Sequence, residues 1–370
     1  MKIAILGTKG IPNNYGGYEQ FAEYISQLLV KRGHQVTVYN PSFHPYRKKE
    51  FNGVSIITKF SPERWIGGAA NFVYDFLCLQ DALKRDFDII YEAGYHSVAL
   101  SYKVLGVRKR KGAVLITNMD GLEYNRSKWS PLTQWLIKKL ERIAVAETPY
   151  MISDNVGIQE YYRDYFNRDS FFVPYGADPV NSFDESHLAK YDVRRNNYLM
   201  LVARLEPENN IETILSGYVN SKSPFPFLVV GNHRTKYGNH LKNKYKDLRI
   251  RFVGGIYNKQ ELDAIRHFSS AYFHGHSVGG TNPSLLEAMA CNCFIIGHDN
   301  PFNRKVLYAA ALYFGSASDV SEIVDQLPQL RDKYAAEFVA TNNERISTAY
   351  NWERVVIQHE TLFQELMTKE

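Results

Sequence analysis

Cysteine is nearly absent. The 370-residue chain has three, Cys78, Cys291 and Cys293. So few, and an odd number, exclude a disulfide framework and fit a reducing, cytoplasmic compartment. Cys291 and Cys293 are only two positions apart, with no Cys-x-x-Cys or paired-histidine spacing beside them, so a structural zinc site is not expected. Long hydrophobic runs are also lacking, none reaching the roughly 18–20 residues that span a bilayer. The opening Met1-Lys2-Ile3-Ala4-Ile5-Leu6-Gly7 reads as a short strand meeting a glycine, not as a signal peptide. Neither sign of charge dominates. Lys plus Arg number 44 and Asp plus Glu 39, a net of +5. That excess is too small, and the basic residues too scattered, to argue for nucleic acid. With 45% hydrophobic and 22% charged residues, the chain is globular rather than disordered or fibrous. Its length suits two α/β domains. Aromatics are plentiful, 26 Tyr and 21 Phe, which suits an enzyme that handles sugars.

Apolar strands alternate with amphipathic helices along the chain. Strands are predicted at Lys2–Leu6, Gln35–Tyr39, Val54–Thr58, Phe87–Tyr91, Ala113–Thr117 and Tyr150–Ser153. Helices are predicted at Tyr18–Lys31, Asn71–Lys84, Pro131–Ala146 and Val156–Phe166. A polar, turn-rich stretch from Val173 to about Arg195 separates this series from a second one. There the strands fit Tyr198–Val202, Phe227–Val230, Arg249–Val253, Ala271–His274 and Phe294–Ile296. The helices fit Ile211–Val219, Lys259–Phe268 and Pro283–Cys291, and Trp352-Glu353 looks like the start of the last helix. Such alternation implies parallel sheets covered on both faces. The expected architecture is two Rossmann-like domains, 1–180 and 195–350, with a final segment 351–370. The ligand would sit in a central cleft at the carboxyl ends of the strands.

Three stretches carry chemistry. Gly7-Thr8-Lys9-Gly10-Ile11-Pro12-Asn13-Asn14-Tyr15-Gly16-Gly17-Tyr18-Glu19 follows a strand and opens a helix. Its glycines allow close backbone approach, and the free N–H groups of the helix start attract an anion or sugar hydroxyls. It also reads as a plain strand-to-helix turn. Its spacing is not that of a dinucleotide fingerprint or a P-loop, which disfavours a nicotinamide dehydrogenase. In Val202-Ala203-Arg204-Leu205-Glu206-Pro207-Glu208-Asn209, Arg204 lies just past a strand, where a guanidinium can grip a diphosphate. The alternative for Arg204 is a surface ion pair with Glu206 or Glu208. In His274-Gly275-His276-Ser277-Val278-Gly279-Gly280-Thr281-Asn282-Pro283-Ser284-Leu285-Leu286-Glu287, a glycine-rich loop enters a helix at Pro283. The Gly280, Thr281 and Asn282 amides can face an anion or a sugar. Glu287, among apolar neighbours, needs a partner, such as the vicinal diol of a ribose.

At these residues the sequence resembles the GT-B glycosyltransferases, in the large retaining family 4, over essentially the whole chain. The likeness rests on Gly16-Gly17, Ala203-Arg204-Leu205, Pro283-Ser284-Leu285-Leu286-Glu287-Ala288-Met289-Ala290 and Trp352-Glu353. Two strings, Asn14-Tyr15-Gly16-Gly17-Tyr18-Glu19 and Gly279-Gly280-Thr281-Asn282-Pro283-Ser284, further resemble a rhamnosyltransferase branch that builds cell-surface polysaccharide from dTDP-L-rhamnose. The resemblance implies a C-terminal helix crossing back to the first domain and transfer with retention at the anomeric carbon, without a metal or other cofactor. It also implies a sugar acceptor carried on a polyprenyl diphosphate. Two departures stand out. Gly279 occupies the place of the first of two glutamates spaced E-x7-E, and Asn209 that of a lysine five residues after Arg204. A degenerate, non-catalytic sugar-nucleotide-binding protein, or a UDP- or GDP-sugar enzyme, would share most of the same features. A sugar-nucleotide epimerase would need no acceptor side, and a phosphorylase would need a longer chain.

The implied site has Asp120, in Thr117-Asn118-Met119-Asp120-Gly121, and His96 near the reacting sugar, with Arg204 on the leaving group. The donor is expected against Gly16, Gly17, Arg204, Gly255, His276, Gly280, Thr281, Asn282 and Glu287. Asp120 also reads as a turn residue and His96 as a cap or packing residue. On the acceptor side, Arg108-Lys109-Arg110-Lys111 and a helix with Leu132, Trp135, Leu136 and Leu140 beside Lys138, Lys139 and Arg142 offer a basic, aromatic face. Such a face can rest on an anionic membrane, although charge runs are commonly solvated and Trp135 would also fit a core.

Overall fold

The computed structural model describes residues 1–109, 112–119, 121–126 and 129–369. It divides into two compact units. One holds 1–125, 129–175 and 352–370, the other 126–128 and 176–351.

The first unit is built on an eight-stranded sheet. In chain order the strands are β1 Lys2–Leu6, β2 Gln35–Pro41, β3 Glu50–Phe51, β4 Val54–Lys59, β5 Ile89–Glu92, β6 Val114–Asn118, β7 Tyr150–Ser153 and β8 Phe171–Phe172. Their spatial order is β3-β4-β2-β1-β5-β6-β7-β8. The sheet departs from an all-parallel arrangement at one edge. There β3 and β4 form an antiparallel hairpin around Asn52-Gly53, both with positive φ (48° and 82°), the backbone that a two-residue turn needs. The chain leaves β1 toward β2 on one side and returns to β5 on the other. The switch point therefore lies between the carboxyl ends of β1 and β5. The core on one face packs Ala4, Leu6, Tyr39, Tyr74, Cys78, Leu79 and Ile90.

The last helix, Trp352–Met367, belongs to this unit. Its apolar stripe of Trp352, Val355, Val356, His359, Leu362, Phe363 and Leu366 is buried, as its helical spacing demands. Trp352 stacks on Tyr24 at 4.8 Å between ring centroids, and the His359 ring lies 5.5 Å from Phe21. Glu360 joins the helix to Arg32 (2.7 Å) and His34 (2.8 Å).

Two acids lie under the loop after β1. Glu92, at the end of β5, is fully buried, and a side chain at Gly7 would run into its Oε1. Asp75 is buried as well. Burial pushes its pKa up to about 7 against a hydrogen bond from Ser97 and the charge of Lys9, and burial also raises that of Glu92. The folded chain thus holds Asp75 protonated at pH values where the unfolded chain has released the proton. This contribution to stability is complete below about pH 4 and lost as the pH rises to about 7. Asp75→Asn is expected to flatten the fall in melting temperature between pH 5 and pH 8. An unchanged pH profile would show that Asp75 ionises normally in the folded chain.

The second unit has a six-stranded parallel sheet. Its strands are β9 Leu199–Val202, β10 Phe227–Val230, β11 Ile250–Gly254, β12 Ala271–His274, β13 Ile295–His298 and β14 Leu312–Phe314, in the order β11-β10-β9-β12-β13-β14. Here the switch point is between β9 and β12. Tyr218, Phe227, Phe273, Phe294 and Phe338 supply the bulk of a core that also includes Leu199, Leu201 and Ile214. Each predicted strand is present within two residues at each end, and β3, β8 and β14 were not predicted. Helices absent from the sequence prediction include Lys236–Lys244, too polar to show a stripe. Another is Ala317–Asp325, which starts on a Ser316/Asp319 capping box. No helix among the described residues is long and apolar enough to cross a membrane.

Candidate functional site

The switch point of the second unit gathers most of the donor-site candidates. The loop after β9 carries Arg204 and the loop after β12 carries His276, Gly280, Thr281 and Asn282. Backbone contacts that tolerate only glycine fasten these loops together. A Cβ at Gly275 would sit 2.1 Å from the Asn209 carbonyl oxygen, and one at Gly231 would sit 2.2 Å from that of Ala203. Ser277 donates to the Glu208 carbonyl through its amide (3.2 Å) and its hydroxyl (2.8 Å), and Asn210 donates to the Gly275 carbonyl (2.8 Å).

Arg204 is exposed. Among the described residues it forms no ion pair with Glu206 or Glu208, so the surface-pair reading of it does not hold. Glu208 instead meets Arg126, Oε1 to Nη1 at 3.5 Å. Asn209 is buried and donates to the Arg204 carbonyl at 2.7 Å, which fixes the backbone that carries the guanidinium. A lysine in its place would lose that bond and bury a charge. The His276 backbone is held through its carbonyl by Asn300 and Asn303, both at 3.0 Å. Its ring stacks on His274 at 4.5 Å. Burial, with the nearby charges of Arg204 and Arg126, pushes its pKa down to about 3, so the ring is neutral, and Nδ1 is buried without a hydrogen-bond partner among the described residues.

The glycine-rich loop ends in an N-cap. The Asn282 Oδ1 accepts from the Ser284 amide at 2.9 Å and Pro283 starts the helix Pro283–Ala290. That oxygen is therefore engaged in the cap. Gly279 has φ 119° with open space around a would-be Cβ. A glutamate there would meet backbone strain rather than a clash. Glu287, one turn into the helix, has a partner the sequence did not suggest. Its Oε2 lies 2.6 Å from Nη2 of Arg266, a guanidinium only 2% exposed that also reaches Asp263 at 3.4 Å. Ser284 links to Tyr272 through their hydroxyls at 2.7 Å. Gly255 follows β11. The Tyr257 ring lies close against it while the residue is 92% exposed, a flat apolar surface that sequence reasoning had passed over.

In the first unit, Gly16 caps the helix Gly17–Lys31 with extended backbone. The buried Glu19 carboxylate folds back over this turn, accepting from the Lys9 amide at 2.7 Å. An acid three residues past Gly16, in the first helical turn, was the signal for this. Gly17 sits at the helix start, and its carbonyl accepts from the Tyr175 hydroxyl at 3.0 Å. His96 is in the loop after β5, beside the switch point, with its ring edge-on to Tyr95. Asp120, Arg110 and Lys111 lie outside the described residues. Asp86-Phe87-Asp88 has the Asp-x-Asp spacing of metal-binding sites. Both carboxylates instead face Lys2 at the amino-terminal end of β5, Asp86 on Nζ at 2.5 Å and Asp88 on the amide at 2.6 Å.

The helix Pro131–Glu147 presents an amphipathic face. Leu132 (69% exposed), Trp135 (56%) and Leu136 lie outward, so Trp135 is not core. A groove of about 410 Å³ runs beside it, lined by Tyr124, Trp135, Lys138, Lys139 and Arg142 among others. Lys138 caps the Tyr124 ring at 4.0 Å.

Residues 184–344 match the family of glycosyl transferases group 1. Residues 1–178 match a domain of unknown function, DUF1972. No curated protein matches the chain in sequence. Solved structures share the fold along its whole length. Sucrose-phosphate synthase from Thermosynechococcus elongatus superposes with a TM-score of 0.81 at 16% identity, covering 100% of both chains. HepE from Anabaena, in complex with UDP and glucose, does so with a TM-score of 0.74 at 14% identity, covering 99% of this chain and 100% of that one. AviGT4, a glycosyltransferase involved in avilamycin A biosynthesis, has a TM-score of 0.62 at 12% identity, covering 100% of this chain and 98% of that one. The architecture is the two-domain α/β fold of the GT-B glycosyltransferases. Together the domain and the fold support a glycosyltransferase of that type.

Proposed function

We propose that the protein transfers L-rhamnose from dTDP-L-rhamnose, with retention of anomeric configuration and without a metal, to a sugar carried on a polyprenyl diphosphate. The product would enter a cell-surface polysaccharide. The observation that carries the reading is the convergence of the exposed Arg204 and the Gly279–Asn282 loop at the switch point of the second unit. HepE, solved with UDP and glucose, favours a nucleotide-sugar ligand on this fold, and UDP-sugars remain the second reading of the donor. The rhamnosyl assignment draws on the two sequence strings described above.

Arg204 would bind the diphosphate and offset the charge that develops as it leaves. The neutral His276 would meet the donor with an acceptor or donor nitrogen rather than a charge. With no enzymatic nucleophile evident, the acceptor hydroxyl would attack from the face that the diphosphate leaves, and positioning would supply much of the acceleration. Asp120 and His96 are proposed near the reacting sugar. Glu287 would face the nucleoside sugar. Its Oε2 is engaged by Arg266, which fixes the orientation of the carboxylate. The groove along Pro131–Glu147, with its exposed Trp135 and three cations, would take the acceptor lipid and rest on an anionic membrane from the cytoplasmic side.

The reading is tested with radiolabelled dTDP-L-rhamnose and a synthetic polyprenyl-diphosphate sugar. Label should move into the lipid fraction with the anomeric configuration of the donor. Transfer from UDP-glucose alone would replace the donor, and an inverted product would overturn retention. Glu287→Gln is expected to weaken dTDP and dTDP-L-rhamnose equally, by about 1 kcal/mol, from loss of a charged acceptor. Loss confined to the intact sugar nucleotide, measured by titration calorimetry, would put Glu287 on the sugar instead.

A further inference from the structure

The loop after β11 leads into the helix Lys259–His267 and carries Tyr257. Tyr257 is 92% exposed, and among the described residues no hydrogen bond, ion pair or second ring engages it. A lone exposed aromatic is ordinary on a protein surface. The seat and the place of this one are not. A Cβ on Gly255 would lie 2.8 Å from the Tyr257 hydroxyl oxygen and 2.9 Å from Cζ, so the ring rests on backbone that carries no side chain. Gly254 before it has φ 82°, and its carbonyl accepts from the Gly231 amide at 2.9 Å. The support is thus tied to the sheet, while most of the ring stays open to solvent. Sheet order fixes what lies near. β11 is two strands from β9, about 10 Å, and the loops after both leave the same carboxyl end of the parallel sheet. Arg204, proposed on the diphosphate, is on the loop after β9. Glu287, proposed on the pentose, lies against the helix that Tyr257 precedes. It meets Arg266 at 2.6 Å, and its charge reaches Lys259 in the first turn. A nucleoside diphosphate carries its groups in the order diphosphate, pentose, base. With the first at Arg204 and the second at Glu287, the third falls to the loop after β11, where the open face of Tyr257 is.

We propose that Tyr257 is the stacking platform for the base of the donor nucleotide; the proposal rests on the donor-site reading above. Thymine and uracil both present a flat π-face, whatever their edges carry, so a ring of this kind binds either. Stacking also removes from water a tyrosine face that is exposed in the empty site. Preference between dTDP and UDP then comes from other groups.

The test is titration calorimetry of dTDP, UDP and inorganic pyrophosphate, which has no base, with the wild-type chain, Tyr257→Ala and Tyr257→Phe. Tyr257→Ala should weaken dTDP and UDP by the same factor, about tenfold, and leave pyrophosphate within about twofold. Tyr257→Phe keeps the ring and should bind all three as the wild-type chain does. Tyr257→Trp adds a spectroscopic readout that a structural role would not move. Its extra emission should be quenched by dTDP and not by pyrophosphate. Nucleoside diphosphates that bind Tyr257→Ala at wild-type strength overturn the proposal and leave the donor-site reading standing. A loss that Tyr257→Phe shares also overturns it, since the contact would then be made by the hydroxyl. So does a loss of pyrophosphate equal to that of dTDP, which is a general disturbance of the loop, or an extra emission that dTDP leaves unchanged. A wild-type chain that binds no nucleoside diphosphate removes the donor-site reading and this one with it.

Discussion

Arg204→Ala is expected to weaken binding of the nucleoside diphosphate by about 1.5–3 kcal/mol, roughly 10- to 150-fold, with little change in melting temperature. The separation of the two effects follows from the geometry. The side chain is exposed and forms no ion pair among the described residues, so its removal costs the fold little. Its backbone is held independently, by Asn209 on the Arg204 carbonyl and by glycine-only contacts around Gly231 and Gly275. The loop should therefore survive the substitution and the anion should lose its contact. Calorimetry with dTDP, paired with thermal unfolding of the empty protein, reads both. Unchanged affinity would remove Arg204 from the site. A large drop in melting temperature would make it a structural residue.

Arg266→Met should act the other way, on the fold first. Arg266 is 2% exposed and bridges Glu287 on the helix Pro283–Ala290 to Asp263 on its own helix, Lys259–His267. Burial works against its charge, yet the carboxylates around it, with Glu287 foremost, hold its pKa above the ordinary arginine value. Replacing it with an apolar side chain takes from Glu287 and Asp263 the guanidinium they share. Asp263 keeps Lys259 as a partner, so the loss falls mainly on Glu287. Breaking a buried pair in this way costs about 3–5 kcal/mol. Chemical denaturation should show that loss in Arg266→Met. Much of it should return in Arg266→Met/Glu287→Gln, where no charge is stranded. Additive losses in the double variant would mean that the two residues do not act as a pair.

The parts of the fold that were legible in the sequence are those whose signal is local. Lys2–Leu6 and Ala271–His274 are continuous apolar runs ending at a glycine or a loop, and both are strands with those bounds. Arg204 and the Gly279–Asn282 stretch were placed at strand ends by the same pattern, and the strand order brings their loops side by side. What the sequence hid was partnership at a distance. Arg266 and Glu287 are 21 positions apart and Arg126 and Glu208 are 82 apart. No periodicity connects them, so Glu287 could be read as needing a partner but not as having Arg266. Two local signals were present and passed over. Asn52-Gly53 between apolar residues marks the hairpin that breaks the all-parallel sheet. Glu19, in the first turn after Gly16-Gly17, folds back onto the Lys9 amide in the loop before it. The helix Lys236–Lys244 stayed out of sight because few of its residues are buried, among them Leu241, so it carries no stripe to detect.

Thermal unfolding with a panel of nucleoside diphosphates and their sugars tests the central claim most directly. A ligand at about 100 times its dissociation constant stabilises the folded chain by about 2.7 kcal/mol, which the transition resolves. The account predicts stabilisation by dTDP and more by dTDP-L-rhamnose, with the dTDP response at that concentration cut to about 0.3–1.4 kcal/mol in Arg204→Ala. A melting temperature that no nucleoside diphosphate or sugar nucleotide moves would contradict it.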